Sequence, residues 1–96
     1  MNNTKVLMQA INKYGLSAQT DMAIEEMSEL IKALLKSRRI ESHNDRYCGN
    51  IEDVYKNIQE EIVDVEIMLD QLKIMYGYDE SIRAYKINRL VERMKG

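Results

Sequence analysis

"TDMAIEEMSELIKALLKSRR", residues 20–39, decides how this chain folds. Met22, Ala23, Met27, Leu30, Ile31, Leu34 and Leu35 recur at spacings of three and four, the period of a helix and not of a strand. A second stretch, "YKNIQEEIVDVEIMLDQLKIMY" at residues 55–76, repeats the pattern with Tyr55, Ile58, Ile62, Val65, Leu69, Leu72 and Met75. Each stretch carries acids among its apolar residues, "EEMSEL" at 25–30 and "EEIVDV" at 60–65. An ionised carboxylate beside a buried stripe is expensive unless something compensates it.

Outward from these two segments the period continues. One helix is expected from about Thr4 to Tyr14, with Thr4 as its N-cap and Val6, Leu7, Ala10, Ile11 and Tyr14 on its inner face. The second helix opens near Ser17, another capping residue type, and runs to Arg39. Residues 40–50, "IESHNDRYCGN", break the pattern and read as a polar connection. The third helix spans about Ile51 to Tyr76, starting with Val54 on its inner face, and the fourth starts at Asp79 or Ser81 and carries Ile82, Tyr85, Ile87, Leu90, Val91 and Met94. Proline is absent, and Gly15, Gly49 and Gly77 fall between the periodic segments, where helix ends want a residue tolerant of positive φ. Short links between long helices favour antiparallel neighbours, so residues 1–96 are expected to form one domain, an all-α four-helix antiparallel bundle.

Ninety-six residues bury only a modest fraction of their surface, which favours assembly into an oligomer. A 45% hydrophobic and 31% charged composition fits an ordinary globular domain. The formal net charge of -2 gives no electrostatic footprint for nucleic acid or for an anionic membrane, and neither is an expected partner. The N-terminal "MNNTKVLMQAINKYG" is too polar for a signal-peptide core, and no apolar run approaches the ~20 residues of a membrane span. Cys48 and His43 are the only residues of their kinds, so one chain cannot build a disulfide or a Cys/His zinc cluster; a reducing cytoplasm fits best, and His43 is most simply a loop residue.

The phase of the acids carries the functional reading. With Ala23 at zero on a helical wheel, Met27, Leu30 and Leu34 fall within about 40° of it, while Glu26 lies at about 300° and Glu29 at about 240°. With Ile58 at zero on the third helix, Glu61 and Asp64 take the same two angles, about 300° and about 240°. Two antiparallel helices packed about 8–10 Å apart would bring both flanks to one cleft, lined below by Ala33 and Met68 at about 280°. Four carboxylates there need a cation, and hard oxygen ligands suit Mg²⁺ or Mn²⁺. A di-iron carboxylate bundle would need Glu-x-x-His pairs, which this chain lacks. The plainer alternative is a solvated acidic face, as on most amphipathic helices.

"EEMSEL" followed on the next long helix by "EEIVDV" resembles the EExxE and ExxD signature of the MazG-like all-α nucleoside triphosphate pyrophosphohydrolases, a group that includes the dimeric dUTPases and the phosphoribosyl-ATP pyrophosphohydrolases. The lead-in "KYGLSAQTDMAIEEMSEL" is similar as well, so the resemblance covers residues 5 to 76; the connection at 40–50 is longer than in many relatives and the fourth helix matches loosely. The resemblance implies a Mg²⁺-dependent cut between the α and β phosphates of a nucleoside triphosphate, giving the monophosphate and pyrophosphate, by a homodimer or homotetramer. Glu26, Glu29, Glu61 and Asp64 match its metal-binding acids, the same four that the helical phase selects, with Glu26 and Glu61 also in the reacting centre. Glu25 completes the EExxE string but points about 100° away from Glu26, where it either orients a water or faces solvent toward Lys32 and Lys36; Glu60 stands in the same position on the third helix.

Other residues fit two roles each. Lys86 and Arg89 on the fourth helix are either triphosphate-binding cations or helix-surface charge. Arg38, Arg39 and Arg46 flank the long connection, where they either complement a helix C-terminus or meet a polyphosphate. Of six tyrosines, Tyr47 and Tyr78 lie in expected loops, where base stacking is open to them. Against the enzyme stands a non-catalytic helical interaction module whose acids form an acidic surface or pair with a partner.

Overall fold

A computed structural model describes residues 3–42 and 51–96, with the side chains of 41 and 42 left aside. It contains four helices, α1 (Thr4–Tyr14), α2 (Leu16–Ser42), α3 (Ile51–Tyr76) and α4 (Glu80–Lys95), and no strand among the described residues. The all-α bundle read from the periodicity is the fold, and α1 and α3 have the expected bounds. His43, Arg46, Tyr47, Cys48 and Gly49 lie outside the described residues.

Two glycines set the chain reversals. Gly15 has φ 91° and Gly77 φ 89°, a region that side chains rarely adopt, while the space around both is open. The backbone angle, not crowding, is what demands glycine there. Gly15 N–H donates to the Ile11 carbonyl at 2.8 Å and its own carbonyl accepts from Gln19 N–H at 3.0 Å, so one residue closes α1 and opens α2. Two expected caps are not used. Ser17 already lies inside α2, which begins at Leu16, and Thr4 lies inside α1, whose N-cap is Asn3 without a side-chain cap bond. α4 opens between the two expected starts, with Asp79 as its N-cap: Asp79 Oδ1 accepts from Ser81 N at 2.8 Å and Ser81 Oγ at 2.6 Å, and these bonds hold the Asp79 carboxyl below its usual range.

α2 and α3 form a long helical hairpin, and α1 lies against both. Ala23, Ala33 and Ile40 from α2 and Val54, Val65 and Met68 from α3 are the buried apolar residues among those described, joined by Gln19, Ser37 and Gln71. The buried amides satisfy each other, Gln19 Nε2 donating to Gln71 Oε1 at 2.7 Å. Beside them the Thr20 and Tyr76 hydroxyls meet at 2.7 Å.

This core differs from the expected one in phase. Ile40, read as part of the polar connection, is buried on α2, which runs three residues past Arg39. On both long helices the buried line is turned by roughly 60° from the apolar stripe toward the acids. Ala23 and Ala33 are 1% and 4% exposed, whereas Ile31 and Leu35 are 56% and 53% exposed, and Leu34, Ile62 and Leu69 also face outward. Small residues on α2 let α3 approach on that side, and the branched aliphatics are left on the other. Val6 and Tyr14, placed on the inner face of α1 by their spacing, are exposed; Leu7, Ala10 and Ile11 are half-buried.

α4 departs furthest from a four-helix bundle. Among the described residues it packs against none of the other helices, and Ile82, Tyr85, Ile87, Leu90, Val91 and Met94 are all exposed. The chain extends 47 × 42 × 26 Å, with a radius of gyration of 17.3 Å.

Candidate metal centre

The rotation of the buried line has a direct consequence for the acids. Because α2 and α3 meet on the flank that bears them, Glu26 from α2 and Glu61 from α3 are half-buried between the helices, with Asp64 one turn further along α3. One carboxylate oxygen from each of Glu26, Glu61 and Asp64 lies within 4.8 Å of the other two. Glu61 Oε2 is fully buried and has no hydrogen-bond partner among the described residues. A buried acceptor left alone beside two further carboxylates costs energy unless a proton or a cation is shared there.

The electrostatics agree with the geometry. Burial raises the Glu26 carboxyl above its ordinary value of 4.5, and the charges of Asp64, Glu61, Glu25 and Glu29 push it further in the same direction. The donor set is all oxygen, which suits a hard divalent cation. Mg²⁺ would need each ligand oxygen at about 2.0–2.1 Å from the ion, so the glutamate side chains would have to rotate inward from their present separations, which are within 4.8 Å.

Glu29, the fourth acid selected by phase, stands apart from this cluster. Its Oε1 is 3.4 Å from Lys32 Nζ in an exposed i,i+3 pair, and it lines a cleft between α2 and α3 together with Glu61. Glu25 is exposed and outside the cluster; its backbone carbonyl accepts from Ser28 Oγ at 2.7 Å. Lys32, set on the same side as Glu25 by the wheel, is paired with Glu29 instead. Glu60 is exposed as well.

Within one chain Lys86 and Arg89 do not reach these acids, because α4 packs on neither α2 nor α3. Arg89 lies 5.9 Å from the centre of the Tyr85 ring, and Lys86 lines a shallow groove at the α3–α4 turn with Tyr78, Ile82 and Ile87. Tyr78 is covered by Lys73 Nζ at 4.6 Å from the ring centre. The cations that do border the acidic cleft are Lys32, Lys36 and Arg39, with Asn57 across from them on α3. Lys36 escaped notice as a cleft residue because the apolar stripe, taken as the centre of the interface, put it on the solvent side. The line of small residues Ala23, Ala33 and Ser37 was the available signal.

Compared with protein-family models, with curated proteins and with solved structures, the chain matches none of them.

Proposed function

We propose that this protein is a Mg²⁺-dependent nucleoside triphosphate pyrophosphohydrolase of the MazG-like kind. The observation that carries the reading is the convergence of Glu26, Glu61 and Asp64 from two helices around the unpartnered oxygen of Glu61. The similarity of "EEMSEL" and "EEIVDV" to the EExxE and ExxD signature supports it from the sequence.

In this reading Glu26, Glu61 and Asp64 hold Mg²⁺, or Mn²⁺ in its place, and Glu29 joins them by leaving its weak exposed pair with Lys32. The ion supplies neutralisation of phosphate charge and a lowered pKa for bound water. A carboxylate of the cluster accepts the proton of the attacking water. The water oxygen bonds to the α-phosphorus, the bond from that phosphorus to the α,β-bridging oxygen breaks, and pyrophosphate leaves with the electron pair. Glu25 contributes at most through a water. Positioning and electrostatics supply most of such a reaction.

The exposed aliphatics of α2, α3 and α4 support assembly into a homodimer or homotetramer, since apolar patches of this extent mark interfaces. Assembly is also the route by which Lys86 and Arg89 would meet a substrate. No described helix is long and apolar enough to cross a membrane, and cytoplasmic location is proposed with the enzyme. The same apolar faces favour a second reading, a non-catalytic interaction module with an acidic surface.

Incubation of purified protein with a panel of nucleoside triphosphates separates the two. Monophosphate and pyrophosphate are expected in Mg²⁺ and not in excess EDTA. Turnover that survives the chelator, or release of orthophosphate alone, overturns the mechanism; no turnover of any triphosphate leaves the interaction module.

A further inference from the structure

The cleft that borders the carboxylates is charged at both ends. It has a volume of about 370 Å³, and Glu61 belongs both to it and to the acidic cluster, so the two are continuous. Beyond Glu61 and Glu29 its polar walls are Lys32, Lys36 and Arg39 on α2 and Asn57 on α3, with Ala33 and Leu35 as its apolar lining. The three cations follow i, i+4, i+7 and fall within about 60° of one another on the α2 wheel. They span about 10 Å along the helix axis, at the rise of 1.5 Å per residue. Arg39, in the last turn of α2, also complements the helix dipole there, but Lys32 lies three turns inside the helix, where the dipole does not account for a cation.

Volume and charge together define the ligand. The cleft lies at the low end of the range for small-molecule sites and is large enough for an extended phosphate tail. Two lysines and an arginine on one wall, with an amide opposite, offer donors and no acceptor except Asn57 and the two glutamates. A polyanion would draw Lys32 away from Glu29, freeing that carboxylate for the cluster.

We propose that this cleft is the subsite for the β,γ-diphosphate of the substrate, and afterwards for the leaving pyrophosphate, with Lys36 and Arg39 as its anchors and Lys32 as the cation exchanged from Glu29. It rests on the triphosphate reading above and fixes the direction of the substrate: α-phosphorus at Glu26, Glu61 and Asp64, phosphate tail toward the C-terminal end of α2.

The probe is inorganic pyrophosphate, titrated calorimetrically into the protein with Mg²⁺ present. The double variant Lys36→Gln/Arg39→Gln is expected to weaken its binding by about tenfold or more, the scale of losing charge-assisted bonds. The rise in Tm caused by Mn²⁺ alone should stay as in the wild type. Lys36→Arg/Arg39→Lys, which keeps both charges, should restore most of the affinity and shows that any loss is not a folding defect. For a triphosphate that is turned over, KM should rise more than kcat falls. Unchanged pyrophosphate affinity in the Gln double variant overturns the subsite even if triphosphates are hydrolysed. Binding that depends on Lys36 and Arg39 in a protein that hydrolyses no triphosphate upholds the anion subsite and removes the enzymatic reading.

Discussion

The two flanks of the α2–α3 hairpin are built on opposite plans. The flank that closes on itself mixes alanine, serine, glutamine and carboxylates with Ile40, Val54, Val65 and Met68, while the flank left open carries Ile31, Leu34, Ile62 and Leu69. In most small domains the large aliphatics fill the centre and the acids cover the outside. Here two half-buried glutamates share the closed interface with the buried apolar residues, and several large aliphatics are left on the surface. The difference teaches that the acids and the packed core share one flank of this fold, whereas the other flank carries exposed apolar area that the packing of the described residues does not use.

The largest expected effect comes from breaking the closed flank. Glu61→Gln removes the buried carboxylate, and turnover should fall by about a hundredfold or more, the scale of losing a positioned electrostatic group. Glu26→Gln should match it, whereas Glu25→Gln, exposed and outside the cluster, should cost clearly less. Pyrophosphate release at saturating Mg²⁺ ranks the three; a Glu25 variant as inactive as the Glu26 variant would contradict the geometric assignment. In the same preparations, Mg²⁺ or Mn²⁺ should raise the Tm of the wild type by mass action and raise that of Glu61→Gln much less. Identical shifts would exclude Glu61 as a ligand.

Packing separates the flanks next. Ala33→Leu forces a larger side chain between α2 and α3 and should destabilise by about 1–3 kcal/mol, read from urea unfolding. On the open flank the paired change Ile31→Glu/Leu34→Glu should lower the mass measured by light scattering to that of a single chain and remove any dependence of Tm on protein concentration. A wild type that is already monomeric would refute the association assigned to this face.

The smallest effect is on pH dependence without metal. Glu26 binds its proton more tightly in the folded than in the unfolded chain. From its ordinary value of 4.5 up to the raised folded value, the folded state therefore holds more protons, and stability declines as pH rises through that window. The contribution is complete below 4.5 and lost above the folded value. Glu26→Gln should flatten this part of a Tm-against-pH curve recorded in EDTA.

Much of this was legible in the residues themselves. Helix period, Gly15 and Gly77 marked four helices with bounds correct to a few residues, because each depends on local backbone preferences. The matching phase of Glu26, Glu61 and Asp64 brought them to one place because two helices sharing an interface present equivalent angles to it. What misled was the weighting of side chains by hydrophobicity. Leu34 and Ile62 looked like the centre of the stripe, but close approach of α2 and α3 follows Ala23, Ala33 and Ser37, and small residues carry a weak hydrophobic signal. Position in space beyond the next neighbour was not legible either: α4 has the period of a bundle helix and no helix partner among the described residues, so the side chains of Lys86 and Arg89 could not be placed from spacing.

The Gln19–Gln71 hydrogen bond has a mechanical meaning beyond satisfying two buried amides. Helices that meet along alanines can slide at little cost in contact area, since one small side chain resembles the next. A slip of one turn, about 5.4 Å, would leave both amides without partners in a place water does not easily reach. It would also carry Glu26 past Asp64 and pull the carboxylates out of common reach of one ion. The amide pair thus works as an indexing pin: it costs little while engaged, penalises every other alignment, and sets to within a fraction of a turn where the three acids come to rest.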